Sequence, residues 1–360
     1  METISLKLEL LNPTKAKKEM YKEMTNINTS FANWLLEYQG LKDATSKVYK
    51  LFSDGKFPSA IVNQTIREVK SKKNNQKAKV FRRFWCGFNN QNLKVEKENN
   101  LYKVSFPTLE KRVGVPVVIE TYQTHWLDKV LEGKAKQGAA ELYEKKGRWY
   151  VSISISFEPK IPKFESIKPP IMGIDVGLNY LAVAMVGTTS LFFKGNEAAF
   201  IRRKYASKRR VLGQNKKLDA IRKSKNKESQ WMKELNHVIS RKIVNFALEN
   251  GVRLIRMEDL TGIRKTAKSK KEAGRNLHSW AQYQLQTFIE YKAKMEGMEV
   301  QYVNPYNTSQ MCKCGYVDKN NRNRHLFQCG KCGYKSHADV NAGLNISKCV
   351  SGISKKKKAS

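Results

Sequence analysis

Residues 1–11 alternate apolar and polar positions, with Ile4, Leu6, Leu8 and Leu10 on one face, the period-two signature of a strand. The period then lengthens. Met20, Met24, Ile27, Phe31, Trp34, Leu35 and Tyr38 recur at three- and four-residue steps, which predicts helix across 14–50. Asp54-Gly55 and Phe57-Pro58 break it, and a second helical stretch is expected over 59–83. From 91 to 158 the pattern is β-rich, through Leu101, Val104, Phe106, Val117–Ile119 and Val151–Phe157, with turns at Val113-Gly114 and Lys146-Gly147. A strand at the start and a β-rich block after a helical insert predict one barrel-like β domain interrupted by helices. The four prolines between Glu158 and Pro170 mark a linker.

Beyond the linker the pattern becomes α/β. Apolar runs at Ile171–Val176, Leu181–Val186 and Ser190–Phe193 predict strands, with Asp175 at the centre of the first. A basic stretch at 202–227 precedes a helix carrying Trp231, Leu235, Val238, Ile239, Ile243, Phe246 and Ala247, closed by Asn250-Gly251. Strands are expected at Val252–Met257 and Met298–Val303, flanking an amphipathic helix with Leu277, Trp280, Ala281, Leu285, Phe288, Ile289 and Met295. A short helix over 338–347 closes the fold.

Composition narrows the function classes. The chain of 360 residues carries 68 Lys and Arg against 32 Asp and Glu, a formal charge of +36. Self-repulsion on that scale calls for an anionic partner, with nucleic acid ahead of an acidic membrane surface. Basic residues concentrate in 67–83, 202–227 and 264–275; Arg67, Lys70, Arg82, Arg83, Arg202, Arg203, Lys208, Arg209 and Arg210 are the candidate nucleic-acid contacts. Trp85, Trp126, Trp149 and Tyr205 lie among basic residues and are candidates to stack on bases, with core packing as the competing role. At 40% apolar and 10% aromatic residues, the chain can bury a core. No apolar run approaches the ~20 residues of a membrane helix, and the N-terminus does not read as a signal peptide, so an intracellular, cytoplasmic protein is expected.

Three carboxylates stand out. Asp175 lies in Gly-Ile-Asp-Val-Gly within an apolar run, Glu258 ends a strand, and Asp339 opens the last helical segment. Singly, each has an ordinary reading: a turn or cap residue for Asp175, a cap pair for Glu258 with Asp259, and an N-cap for Asp339. Together, at one end of a sheet, they would repel one another and need divalent cations. Two Mg²⁺ or Mn²⁺ ions ~3.5–4 Å apart would suit phosphodiester hydrolysis.

Four of the six cysteines fall in Cys312-Lys-Cys314-Gly and Cys329-Gly-Lys-Cys332-Gly, with fourteen residues between Cys314 and Cys329. Two glycine-flanked knuckles describe a structural zinc ribbon with no open coordination position. The first knuckle has one residue between its cysteines where two are usual, which tightens that chelate loop.

The series GIDVG, RMEDL, TSQ-M-C-K-C-G, C-G-K-C-G and HADVNAGLNI resembles the TnpB family of transposon-associated, RNA-guided DNA nucleases and the related compact type V CRISPR effectors. The resemblance is strong over 171–347 and weaker over 1–160. It implies a multidomain α+β protein: a wedge-type β-barrel (1–12 and 86–160) with an inserted helical recognition lobe (13–85), a linker (161–170), and an RNase H-like α/β RuvC nuclease domain (171–306 and 336–348) with an inserted zinc ribbon (307–335) and a basic disordered tail (349–360). It further implies catalysis by Asp175, Glu258 and Asp339 with two Mg²⁺ or Mn²⁺, one structural Zn²⁺ on Cys312, Cys314, Cys329 and Cys332, a guide RNA, a double-stranded DNA target beside a short flanking motif, one monomer per RNA, and a nucleoid-associated prokaryotic setting. Gly343 stands where the family often has Ala and is expected to loosen its helix.

Competing functions are a guide-independent, structure-specific nuclease and an RNA-guided or nucleic-acid-binding repressor that does not cut. A sugar-kinase-like ATPase is a poorer fit, because the chain lacks the second glycine-rich phosphate loop such a duplicated fold requires.

Overall fold

A computed structural model describes residues 1–76, 78–159, 169–260 and 280–349. The chain divides into two compact units, Met1–Glu158 and Pro159–Ala359. Most of the proline-rich linker, the basic loop 264–275 and the tail beyond Cys349 lie outside the described residues. No described helix is long and apolar enough to cross a membrane.

The strands of the first unit are β1 (Glu2–Leu10), β2 (Cys86–Phe88), β3 (Lys94–Glu98), β4 (Leu101–Pro107), β5 (Arg112–Val118), β6 (Ala135–Lys145) and β7 (Arg148–Phe157). They form one sheet in the order β2-β6-β7-β1-β5-β4-β3, every ladder antiparallel. The opening alternation is realised in β1, which buries Leu6, Leu8 and Leu10. Hairpins close where the sequence tolerates left-handed backbone: Lys146-Gly147 between β6 and β7, and Asn99-Asn100 between β3 and β4, both with positive φ at each residue. Phe88 of β2 meets Phe106 of β4 with ring centroids 5.3 Å apart, although the two strands stand first and sixth in the order. The sheet therefore curls far round on itself, yet no ladder joins β2 to β3 among the described residues.

The helices of this unit are α1 (Lys15–Glu37), α2 (Tyr49–Phe52), α3 (Ser59–Gln76) and α4 (Thr121–Leu131). Two depart from the periodicity reading. The helix expected to reach residue 83 ends by Gln76, and residues 81–85 are instead clamped along α1 by its side chains. The Asn33 amide donates to the Phe81 carbonyl (2.9 Å) and accepts from the Phe81 N–H (2.7 Å), Thr29 accepts from the Phe84 N–H (2.9 Å), and Asn28 donates to the Trp85 carbonyl (2.8 Å). Segment 91–158 is not all strand. A reciprocal capping box between Glu120 and Gln123 starts α4, which buries Trp126 and Leu127. Trp126 packs on Phe157 and Trp149 on Tyr21; both indoles are nearly fully buried, so core packing displaces the base-stacking role proposed for them.

The second unit holds β8 (Ile171–Asp175), β9 (Tyr180–Val186), β10 (Thr189–Lys194), β11 (Leu254–Glu258) and β12 (Glu299–Val303), in the order β10-β9-β8-β11-β12. β8, β11 and β12 are parallel, and the β8-β9-β10 meander is antiparallel. Its helices are α5 (Asn196–Gln214), α6 (Leu218–Glu249), α7 (Trp280–Met295) and α8 (Ala338–Lys348). The basic stretch 202–227 is thus mostly helical, and α6 starts well before Trp231: straight-chain Lys and Arg favour helix and leave their charges in solvent. A small antiparallel sheet of β13 (Arg322–Asn323), β14 (Leu326–Gln328) and β15 (Lys335–His337) leads into α8.

Helix α8 lies directly on β8. A Cβ on Gly173 would strike the Gly343 carbonyl oxygen and come within 2.6 Å of the Ser347 nitrogen, both backbone atoms with nowhere to go. Gly343 does not loosen α8, as its helix propensity suggests. Its missing Cβ leaves the space that Met185 occupies, where a methyl would sit 2.7 Å from Met185 Cγ. Gly173→Ala is therefore expected to cost at least ~2–3 kcal/mol of stability in urea unfolding. Gly114→Ala, where an added Cβ meets nothing, is the control for a surface change.

Candidate metal-dependent catalytic centre

Parallel pairing of β8 with β11 sets Ile174 opposite Met257, so the next residue of each, Asp175 and Glu258, ends its strand on the same sheet edge. Asp175 is the last residue of its strand rather than its centre. Asp339 sits in the first turn of α8, which packs over β8, and so reaches that edge from above. Burial, then the negative charges of Glu258 and Asp339, push Asp175 up to about 7, against the opposing pull of Arg322 and the Val176 amide. Glu258 is also raised, chiefly by burial, with the Thr308 hydrogen bond and Arg322 opposing. Asp175 feels the charge of the other two acids, yet the three do not crowd as the cysteines do; they form no set with all ligand oxygens within 4.8 Å. Such a cluster is electrostatically costly alone and is relieved by cations with oxygen preference.

Several positioning residues carry little sequence signal of their own. The Thr308 hydroxyl donates to Glu258 Oε1, and the Gln286 amide donates to the Glu258 carbonyl (2.8 Å). Arg322 donates to Asp339 Oδ1 (2.7 Å). Asn341 and Asn345, one helical turn apart on α8, both donate to the Met311 carbonyl (2.8 and 2.7 Å), and Asn345 also donates to the Thr308 carbonyl (2.8 Å). Their i, i+4 spacing was the available clue to a shared face. His325 and His337 lie beside Asp339, with Tyr180 and Phe192 edge-on to His337. His337 Nδ1 accepts from the Asp339 N–H at 3.3 Å, which makes it the helix cap.

The cysteine sulfurs of 312, 314, 329 and 332 all lie within 4.8 Å of one another, with Cys312–Cys332 at 3.6 Å and Cys314–Cys329 at 3.7 Å. Tetrahedral Zn–S bonds of ~2.3 Å put sulfurs ~3.8 Å apart, so this set suits zinc. The short first knuckle does not hold its sulfur away. Gly315 and Gly333 have φ of +84° and +71°, the left-handed turn each knuckle needs. Burial opposes ionisation of Cys329, but the Cys332 and Lys331 amides outweigh it and bring the thiol to about 6.

Of the basic candidates, Arg67, Arg82, Arg83, Arg203, Lys208 and Arg210 are exposed. Arg209 is ion-paired with Glu228, Lys70 points to the Ala44 carbonyl (3.5 Å), and Arg202 is half-buried. Tyr205 and Trp85 are half-buried.

Residues 283–346 match the family model of the Cas12f1-like TNB domain. The CRISPR-associated endodeoxyribonuclease Cas12f1 of Sulfoacidibacillus thermotolerans is 31% identical over 258 residues, covering 66% of this chain and 59% of that protein. A TnpB-like protein of Methanocaldococcus jannaschii is 30% identical over 252 residues, covering 66% of this chain and 87% of that protein. The chain spans only 40–59% of the length of three Cas12f1 relatives it matches. In fold it is similar to the protein in the cryo-EM structure of a Cas12f1–sgRNA–target DNA complex, with a TM-score of 0.67, 22% identity, and coverage of 92% of this chain and 82% of that one.

The raised pKa of Asp175 has a measurable consequence. Its folded value lies above its unfolded one, so folding binds a proton between the two, and stability falls as pH rises from about 4 to about 7. In chelated, magnesium-free buffer, Asp175→Asn is expected to raise the melting temperature at pH 8 by several degrees, with the gain shrinking as pH falls toward 4. A pH-independent effect would contradict charge repulsion at this site.

Proposed function

As a member of the TnpB family, with the compact type V effectors related to it, the chain is one for which we propose RNA-guided DNA endonuclease activity at a single centre formed by Asp175, Glu258 and Asp339. The observation that carries this reading is the convergence of these carboxylates, from two strand ends and one helix start, with burial and then the charges of Glu258 and Asp339 raising Asp175 well above the usual carboxylate range. Such a site pays for its own repulsion only when cations arrive. The donor set is all oxygen and fits two Mg²⁺ or Mn²⁺, which when bound supply Lewis-acid stabilisation of an in-line displacement at phosphorus. Thr308 orients Glu258 from one side, and Arg322 offsets part of the negative charge at Asp339 from the other. The cysteine set fits one structural Zn²⁺.

In this reading residues 171–306 and 336–348 are an RNase H-like RuvC domain, and 307–335 its zinc ribbon. The three parallel strands flanked by an antiparallel meander support it. Residues 1–12 and 86–160 are a wedge-type domain, supported by the curled sheet, and 13–85 a recognition lobe. The partners are a guide RNA and a double-stranded DNA target, one protein monomer per RNA. A cavity of about 230 Å³ lined by Asn63, Gln64, Arg67, Asn89, Gln91 and Asn92 supports recognition of a short target-flanking motif, because Arg, Asn and Gln are the side chains that pair bidentately with base edges.

Asp175→Ala is expected to abolish Mg²⁺-dependent cleavage of a guide-matched duplex, leaving guide-RNA affinity within about twofold of the parent; residual cutting at the parental rate would remove Asp175 from the centre. RNA affinity is expected to fall by about a thousandfold between ~50 and ~200 mM salt, as for a protein that contacts many phosphates. A flat salt response in filter binding would exclude backbone-dominated binding.

A further inference from the structure

The first unit carries an aromatic row that neither its core nor the proposed cleavage centre uses. Trp85 ends the segment clamped along α1, its carbonyl held by Asn28 (2.8 Å). Pairing of Cys86 with Leu142 brings the Trp85 indole beside Tyr143, ring centroids 5.8 Å apart and planes at 51°. Tyr143 faces Tyr150 across the β6-β7 ladder, and their rings stack at 5.7 Å and 25°. Lys7 Nζ of β1 lies 3.6 Å from the Tyr150 ring centroid. Unlike Trp126 and Trp149, these rings are only half-buried.

Beside the row is a cavity of about 320 Å³ lined by Trp85, Tyr143, Glu141, Glu144, Lys145 and Ser152. Trp85 and Tyr143 bring aromatic rings to its lining, and Glu141, on the same face of β6 as Tyr143, brings a carboxylate, which in ionised form only accepts hydrogen bonds. Glu141 is exposed on the Tyr143 side of β6, where its carboxylate can accept a ligand N–H. The occupant must therefore offer a flat ring and adjacent N–H donors. A cationic side chain has donors, but a chain of +36 repels cationic partners and attracts phosphates, for which Lys145 stands at the rim. Guanine meets the demand best, because its N1–H and exocyclic amino group point the same way and match the two oxygens of one carboxylate.

We propose that this pocket takes one unpaired guanine of the bound RNA, stacked against Trp85 and Tyr143 and recognised along its N1–H and amino edge by Glu141. The inference rests on the guide-RNA reading above. RNA binding as such tests that reading; base preference at equal length and charge tests this one.

The experiment measures binding of the full chain to hexauridine RNAs bearing a central guanosine, inosine or uridine, by fluorescence anisotropy at one salt concentration. The guanosine RNA is expected to bind about tenfold tighter than hexauridine. Inosine, which lacks the amino group, should lose most of that advantage. Glu141→Gln should abolish the preference for guanosine over inosine and leave hexauridine affinity unchanged. Trp85→Leu should weaken guanosine RNA about tenfold; should that variant misfold, Tyr143→Leu and Glu141→Gln carry the same test. Equal affinity for the three RNAs overturns the proposal. So does displacement of the signal by an arginine-rich peptide that protects Trp85 from quenching, which would assign the pocket to a protein partner.

Discussion

Backbone against backbone at Gly173 and Gly343 is the contact on which the second unit's chemistry depends. Helix α8 can place Asp339 over the edge bearing Asp175 and Glu258 only by lying almost in contact with β8, and any side chain at position 173 would hold the helix off. The effect is steric and short-ranged, so it tolerates no compromise: the obstructing atoms are a carbonyl and an amide already committed to helix geometry. Met185 then fills the hollow left by Gly343, and the helix is seated by this close fit together with the Asn341 and Asn345 hydrogen bonds and the Arg322–Asp339 pair.

That seating forces unlike charges and like charges into one small volume. Asp175 is raised by its burial and by both other acids, while Arg322 returns part of the balance. The folded chain thus carries electrostatic cost where the three acids meet, a cost that divalent cations would relieve. The opposite excess prevails elsewhere, with +36 over the whole chain. The three acids thus make a locally anionic site within a cationic chain.

The cysteine-bearing segment is joined to this centre through several short links. Arg322 belongs to the first strand of the small sheet that the cysteines frame, and its guanidinium reaches Asp339. Asn341 and Asn345 reach back from α8 to the Met311 carbonyl, immediately before the first cysteine. Thr308, which orients Glu258, lies in the lead-in to the same knuckle. A zinc ion holding the sulfurs would therefore also hold the positioning groups of two of the three carboxylates, a structural metal with consequences for a catalytic one.

Much of this was legible in the residues themselves. The alternation of β1, the buried runs of β8 and β9, the four cysteines and the three acids each carry a local signal, because strand period, thiolate spacing and a carboxylate in an apolar run are properties of a few neighbouring positions. Helix α4 was hidden because its capping box, Glu120 to Gln123, is a four-residue signal inside a β-rich block. The early end of α3 was hidden because the competitor for residues 81–85 is another helix, whose Asn28, Thr29 and Asn33 are some fifty residues away. Trp126 and Trp149 look like Trp85 in sequence; only the curl of the sheet decides that two are core and one borders a cavity. Sequence determined which groups are present and the period on which they are set. Tertiary structure decided which of them meet, since Arg322 with Asp339, Thr308 with Glu258 and Gly173 with Gly343 are contacts across 17, 50 and 170 positions that no local pattern encodes.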